Sequence, residues 1–412
     1  MTLTSAYGNR RKDVPTASFG TIFNEQIDRE QTEDRHTLLD LEYGRPIGSA
    51  RLTVRGSYDR FTYDGHYPIP GDDFGLRKVV AHNDVIGARW TVGARLNKPL
   101  PFRQMLVAGT EFINNTDQNQ RSSILDPAVP MFTTDVSSTQ QAVYIQDELK
   151  LGRYVILNGG LRYDRYEAFD RVTPRTAVIV MPSPAQSFKY LYGRAFRSPN
   201  AYERNDFYFG AQVASLTPES IVTHEFVWEQ YARDWLRTSV STYWYTAERL
   251  ITETADPSTF FGVTYVNEGE VRAKGVELES QMRLWKGAEG HLSYALQNAT
   301  DHATGRRLTN SPRQMVKGRV SAPLVGNGSS VALEVLGIGR RLTVSGSEVG
   351  AAATANVTVI KPLGRSFELL GTMRNLFDVE YADPASEQHR QDTIPRNGRT
   401  FHIGIGWHFT AK

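Results

Sequence analysis

The chain has 412 residues, 40% apolar and 22% charged, with a net charge of +2 and no cysteine. Its mean hydropathy is −0.42. So balanced a charge gives no footprint for nucleic acid, and without thiols there is no disulfide framework or thiolate metal site. No apolar run approaches the roughly 18 residues of a membrane helix; the longest, Ala177-Val-Ile-Val-Met181, is a short strand.

The N-terminus, Met1-Thr-Leu-Thr-Ser-Ala-Tyr-Gly-Asn-Arg-Arg-Lys12, lacks a basic-then-apolar export signal, so the chain is expected to be soluble or a piece of a longer precursor. Period-two alternation then recurs along the sequence. Leu52, Val54 and Tyr58 alternate with Thr53, Arg55, Ser57 and Asp59, and Ala88, Trp90, Val92, Ala94 and Leu96 with Arg89, Thr91, Arg95 and Asn97. Further on, Leu157, Leu161 and Tyr163 alternate with Asn158, Arg162 and Asp164. Val276, Leu278, Met282 and Leu284 oppose Glu277, Glu279, Gln281 and Arg283, and Ala355, Val357 and Val359 oppose Asn356 and Thr358. This is the repeat of strands, not of helices. Roughly 18 strands are expected, at about 2–9, 36–43, 49–62, 85–97, 102–113, 138–150, 154–166, 172–182, 186–195, 219–232, 235–248, 264–284, 290–300, 313–323, 329–340, 350–361, 365–377 and 399–409.

A soluble sandwich also has one apolar and one polar face, so the connections decide. Short turns such as Asn97-Lys-Pro-Leu-Pro101, Leu151-Gly-Arg153 and Trp285-Lys-Gly287 alternate with long polar loops at about 10–35, 64–84, 115–137, 196–219 and 378–398. Sorting of loop length by end is the habit of membrane barrels. The last strand, Arg399 to Phe409, ends in Trp407-His-Phe409, and aromatic rings of this kind settle at a membrane interface.

Several segments resemble, in order, those of TonB-dependent outer-membrane receptors. They are Asp13-Val-Pro15 to Asn24; Lys189 to Glu203, with Arg197-Ser-Pro199-Asn-Ala-Tyr202-Glu203; Leu216-Thr-Pro218-Glu219 with Glu225; Tyr265-Val-Asn267-Glu-Gly269 with Gly275-Val-Glu277; Asn310-Ser-Pro312-Arg313; Asn375-Leu376-Phe377-Asp378 with Tyr381; and Gly398-Arg399. The resemblance implies an all-β fold, a transmembrane antiparallel β-barrel filling residues 1–412 with about 18 of an expected 22 strands. It also implies that a plug domain and the first strands are absent, so the chain is expected to be an N-terminally truncated portion whose unpaired edges cannot close with the native stagger. His402, Gly404, Trp407 and Phe409 resemble the family's assembly signal for the barrel-insertion machinery, although Thr410-Ala-Lys412 follows where relatives stop at the aromatic. The implied partners are outer-membrane lipid, the TonB system through the missing plug, and a scarce ligand, foremost a ferric siderophore, with cobalamin or haem as alternatives. The implied location is the bacterial outer membrane.

The residues give catalysis little support. The histidines form no His-Glu-x-x-His pattern, so no catalytic, cofactor-binding or metal residue is expected. Gly337-Ile-Gly339 lacks the third glycine of a dinucleotide loop, and Gly326-Asn-Gly328-Ser-Ser330 reads as a hairpin turn. Glu277 and Glu279 share a strand face and are expected to pair with luminal arginines such as Arg162 and Arg283, or to meet a plug. Ligand contact is expected from loop 196–219 through Arg197, Tyr202, Arg204, Phe207, Tyr208 and Phe209, a mixture of rings and cations suited to an anionic, partly aromatic iron chelate. His66, Tyr67 and Arg77, and Tyr381, His389 and Arg390, are weaker candidates. The rival reading is a passive porin or a barrel enzyme, for which no rim set of catalytic groups can be assembled.

Overall fold

The computed structural model describes residues 1–13, 31–70, 78–204, 216–256, 263–324, 328–364, 366–387 and 389–407. The strands run β1 Thr2–Asp13, β2 Gln31–Ile47, β3 Ala50–Pro70, β4 Lys78–Leu100, β5 Gln104–Ile124, β6 Val129–Thr134, β7 Ser138–Leu151 and β8 Val155–Tyr166. They continue as β9 Asp170–Ser183, β10 Gln186–Arg197, β11 Glu219–Ala232, β12 Leu236–Ala255, β13 Val263–Arg283, β14 Glu289–Asp301, β15 Gln314–Pro323 and β16 Ser330–Ile338. The last are β17 Arg341–Leu342, β18 Glu348–Val349, β19 Ala352–Leu363, β20 Phe367–Arg374, β21 Ala382–Pro384, β22 Thr393–Pro395 and β23 Thr400–Trp407. A short helix, α1 Ala201–Arg204, follows β10, and a 3-10 turn spans Trp285–Gly287.

One 19-stranded antiparallel sheet contains all of these except the small hairpins β17–β18 and β21–β22. Setting aside β6, which folds back on β5, it holds the 18 strands read from the sequence. Each long strand pairs with its neighbours in the chain, so the sheet is a meander. Among the described residues, β1 pairs only with β2 and β23 only with β20. β1 is exposed throughout, and Phe401, Ile403, Ile405 and Trp407 are 64–82% exposed.

Cross-strand register sorts the two faces. Val54 stands opposite Ala94, Tyr58 opposite Trp90, Ile145 opposite Leu161 and Val276 opposite Leu296, all on the face rich in exposed apolar side chains. The other face carries Asp40, Arg55, Arg95, Glu111, Arg162 and Glu279. Aromatic rings bracket the apolar face. Tyr154, Trp235, Trp285, Phe367 and Trp407 lie at the short-turn end, whereas Tyr58, Tyr163 and Trp244 stand eight residues up their strands. Eight residues of tilted strand span roughly 20 Å, close to the apolar band of a membrane barrel.

Several strands run well beyond that band, which corrects the loop boundaries read from the sequence. β3 and β4 extend to 70 and from 78, and the expected loop 115–137 contains the end of β5 and the whole of β6. These outer extensions hold a small core of Val79, Ala81 and Ile124, against which Ile69, Val129 and Met131 pack. Above the membrane both sheet faces meet water or loops, so the alternation that marks a strand is lost there.

Glycine is required at two luminal sites where a tyrosine crosses from the next strand. Gly109 faces Tyr144, and Gly275 faces Tyr243. A Cβ on Gly275 would lie 2.6 Å from the Tyr243 ring and 2.9 Å from the Leu296 carbonyl oxygen. We expect Gly275→Val to cost about 1–3 kcal/mol, read as a lower temperature for loss of heat-modifiable gel mobility. Gly193→Ala, with nothing within 4 Å of its new Cβ, should leave that temperature unchanged. Equal melting of the two variants would remove the Tyr–Gly contact as a constraint.

Candidate functional site at the outer rim

Three of the segments singled out in the sequence converge at the long-loop end of the sheet. Arg197 closes β10 directly opposite Glu219, which opens β11. Its guanidinium donates to Glu219 at 2.7 and 2.6 Å and to Glu203 at 2.8 and 2.9 Å. Glu203 is held by a reciprocal cap on α1. The Asn200 side chain accepts from the Glu203 amide at 2.8 Å, and the Glu203 carboxylate accepts from the Asn200 amide at 2.9 Å. Glu219 also accepts from the Ile251 amide at 2.8 Å, across a register shift in the β12–β13 ladder that brings this amide within reach.

Asn267 completes the cluster. Its carboxamide accepts from the Thr217 amide at 2.7 Å and donates to the Thr217 and Arg249 carbonyls at 2.9 and 2.8 Å. Tyr202 meets Tyr265 edge-to-face at 5.9 Å. Both ends of the segment between β10 and β11 are thereby fastened to β12 and β13. These groups lie beyond Tyr192 and His224, the last outward ring pair on β10 and β11. Burial pushes the Glu219 carboxyl up, but Arg197 and the Ile251 amide outweigh it, and the carboxyl sits below its ordinary value. Hydrogen bonds to Glu219 and then Glu203 raise Arg197 further above its already high value.

Arg197 is thus committed to two carboxylates, Tyr202 to Tyr265, and Arg204 to no carboxylate among the described residues. Phe207, Tyr208 and Phe209, expected as ligand contacts, lie outside the described residues, as do Arg77 and Phe409. His402, Gly404 and Trp407 sit on β23, where Trp407 stacks on Phe367 at 6.1 Å. The loops near Tyr381 are tied down separately. Buried Arg341 donates to Asp383 at 2.7 Å, and Ser345 to Asp392 at 2.8 Å. His389 bonds Ser386 at 2.8 Å. Asn375 (φ 50) and Asp378 (φ 54) take the left-handed turn that suits short polar side chains. Asn375 then clamps Val379, and Asp378 accepts from the Arg399 amide at 2.6 Å.

On the luminal face, the expected pairing of Glu279 with Arg162 or Arg283 gives way to His291 at 3.0 Å and Gln281 at 2.9 Å. The cause is distance along the sheet: β13 adjoins β12 and β14, whereas Arg162 on β8 pairs with Glu111 and Asp164. A cavity of about 480 Å³ lined by Arg95, Glu111, Tyr144, Gln146, Arg162 and Arg175 opens there. Nearer the short turns, Glu229 gathers Lys189 and Arg237, each at 2.6 Å. Sequence reading missed the rim cluster because its members lie on separate strands; the signal was the recurrence of Arg, Glu and Asn at strand ends.

The family profile described as TonB dependent receptor-like, beta-barrel matches residues 2–376. No curated protein matches the chain. Among solved structures, it superimposes on the ferric-catecholate import receptor Fiu from E. coli K12 with a TM-score of 0.77 at 14% identity, covering 99% of this chain and 72% of that one. For the ferric yersiniabactin uptake receptor FyuA from Yersinia pestis the TM-score is 0.78 at 14% identity, covering 99% and 68%. For BauA, the ferric preacinetobactin receptor from Acinetobacter baumannii, it is 0.71 at 11% identity, covering 98% and 69%. At such identities the likeness establishes the fold.

Because the folded Glu219 carboxyl is held below its unfolded value, its contribution is complete above about pH 4.3 and is lost as pH falls through the lower folded value. We expect limited proteolysis between 198 and 218 to accelerate in that acid range in the wild type. Arg197→Ala should give the same acceleration at neutral pH, and Glu219→Gln should flatten the acid response. Equal protection of all three proteins would show that the cluster does not hold the loop.

Proposed function

Since the chain belongs to the TonB-dependent receptor-like β-barrel family, we propose that it forms the wall and outer mouth of a bacterial outer-membrane receptor for uptake of a scarce ligand. A ferric siderophore is the proposed cargo. The observation that carries this reading is the rim cluster, which fastens the two described ends of the segment between β10 and β11 at the long-loop end of the sheet. An anchored loop presents its contacts at low ordering cost, which favours capture of a dilute ligand.

The iron-chelate receptors among the structural neighbours support that cargo class. Arg95 and Arg175, which line the luminal cavity and meet no carboxylate among the described residues, suit an anionic chelate. In this reading Arg197 holds the loop, and Tyr202, Arg204, Phe207, Tyr208 and Phe209 supply the outer contacts. Lipid meets the apolar band, and the insertion machinery reads His402, Gly404, Trp407 and Phe409. Energy coupling to TonB belongs to a plug segment acting with the barrel, and no catalytic role is proposed.

The test is growth of a receptor-deficient host, expressing this barrel with a family plug, on a panel of ferric chelates. Growth on one chelate, lost on deletion of residues 205–215 while surface assembly persists, is the expected result. Growth on no chelate by a correctly assembled receptor would overturn the iron-chelate reading; growth unaffected by the deletion would remove the loop from capture.

A further inference from the structure

Among the described residues, one group of three metal-ligating side chains converges, on the hairpin formed by β3 and β4. His66 and His82 stand directly opposite each other on the antiparallel ladder, and their rings stack at 4.6 Å with an 18° interplanar angle. Asp64 reaches both. Its carboxylate lies 2.9 Å from His82 Nε2 and 3.5 Å from His66 Nδ1. All three ligand atoms fall within 4.8 Å of one another.

We propose that Asp64, His66 and His82 form a binding site for one divalent transition-metal ion such as Zn2+, with water completing its coordination. Two imidazole nitrogens and one carboxylate oxygen are the donor set that borderline ions favour. Donors held at about 2.0–2.2 Å around one tetrahedral ion stand roughly 3.3–3.6 Å apart. The 2.9 Å His82–Asp64 contact therefore opens slightly and the longest separation, within 4.8 Å, closes, which side-chain rotation on a fixed ladder supplies. The imidazoles are less than one-third exposed, so the ladder, not a mobile loop, sets their separation.

The surrounding charge favours a cation. Asp84 stands opposite Asp64 on β4, and Glu33 opposite it on β2; Arg35 is engaged with Glu33 at 2.7 Å, and Arg121 faces Asp84 from β5. The register places His66 and His82 on the same sheet face as Tyr58 and Trp90, the outward one, above the apolar band. The ion would therefore brace β3 to β4 outside the lumen, whatever cargo the receptor takes.

The test is titration of the full chain, free of any histidine tag and assembled in detergent, with Zn2+ by calorimetry and Co2+ by visible spectroscopy. We expect one ion per chain with a ligand-field band, weakened at least tenfold by His66→Ala, His82→Ala or Asp64→Asn. His302→Ala, which removes an exposed histidine beside Glu270, should change nothing. Circular dichroism and heat-modifiable mobility verify that each variant is folded, and His66→Gln with His82→Gln stands in where an alanine variant is not. Absence of saturable binding at millimolar metal, or a folded double variant that keeps wild-type affinity, would sink the proposal in favour of simple His–Asp ion pairing.

Discussion

A backbone N–H or C=O left unpaired in hydrocarbon costs several kcal/mol, and this constraint governs the rest of the molecule. The chain answers it with a meander in which each long strand finds partners in its sequence neighbours, from the β1–β2 ladder to the β20–β23 ladder. Nearest-neighbour pairing leaves the connections at one end short and frees those at the other to grow. The same constraint bears on β1 and β23, each paired on one side among the described residues. In lipid, the exposed ladders of β1 and β23 require a strand beside them, either each other's or another segment's.

Once the backbone is paired, the side chains divide by face, and each face has its own problem. Outward residues need only be apolar and bracketed by rings, as Tyr58, Trp90 and Trp244 are. Luminal residues carry charge in a confined space and so occur in balanced groups: Arg162 with Glu111 and Asp164, Glu229 with Lys189 and Arg237. Removing one member of such a group leaves the others without compensation, which is costlier than the pair is stabilising. Gly109 and Gly275 are the steric counterpart, absent side chains that let Tyr144 and Tyr243 lie flat across the ladder.

The legibility of the sequence follows from these pressures. Along Leu52–Tyr58 and Trp90–Leu96 the lipid-facing positions cannot accept a charge, so the strands announce themselves by alternation. Beyond the membrane that prohibition ends, and the outer parts of β3, β4 and β5, with β6, read as polar loop although they are paired and hold the Val79–Ile124 core. The rim cluster was half visible. Its segments were singled out individually, but nothing in the one-dimensional text states that Arg197, Glu219 and Asn267 meet. The pairing of His66 with His82 needs the hairpin register, which was hidden by the same loss of alternation.

Residue type alone also overcounts binding groups. An arginine flanked by rings, as Arg197 is, reads as an anion contact, yet its donors are already divided between carboxylates 6 and 22 positions away. Capturing an anion with it would strip a partner from Glu203 or Glu219 and loosen the ends of the segment between β10 and β11. Cargo recognition is therefore better sought in groups that the loops do not consume for their own anchoring, and Arg204, without a carboxylate partner among the described residues, fits that requirement where Arg197 does not. The wall is specified by lipid and is common to the fold. On the proposed reading, the cargo would be specified by what remains unspent at the rim, and for that reason strand periodicity carries no information about it.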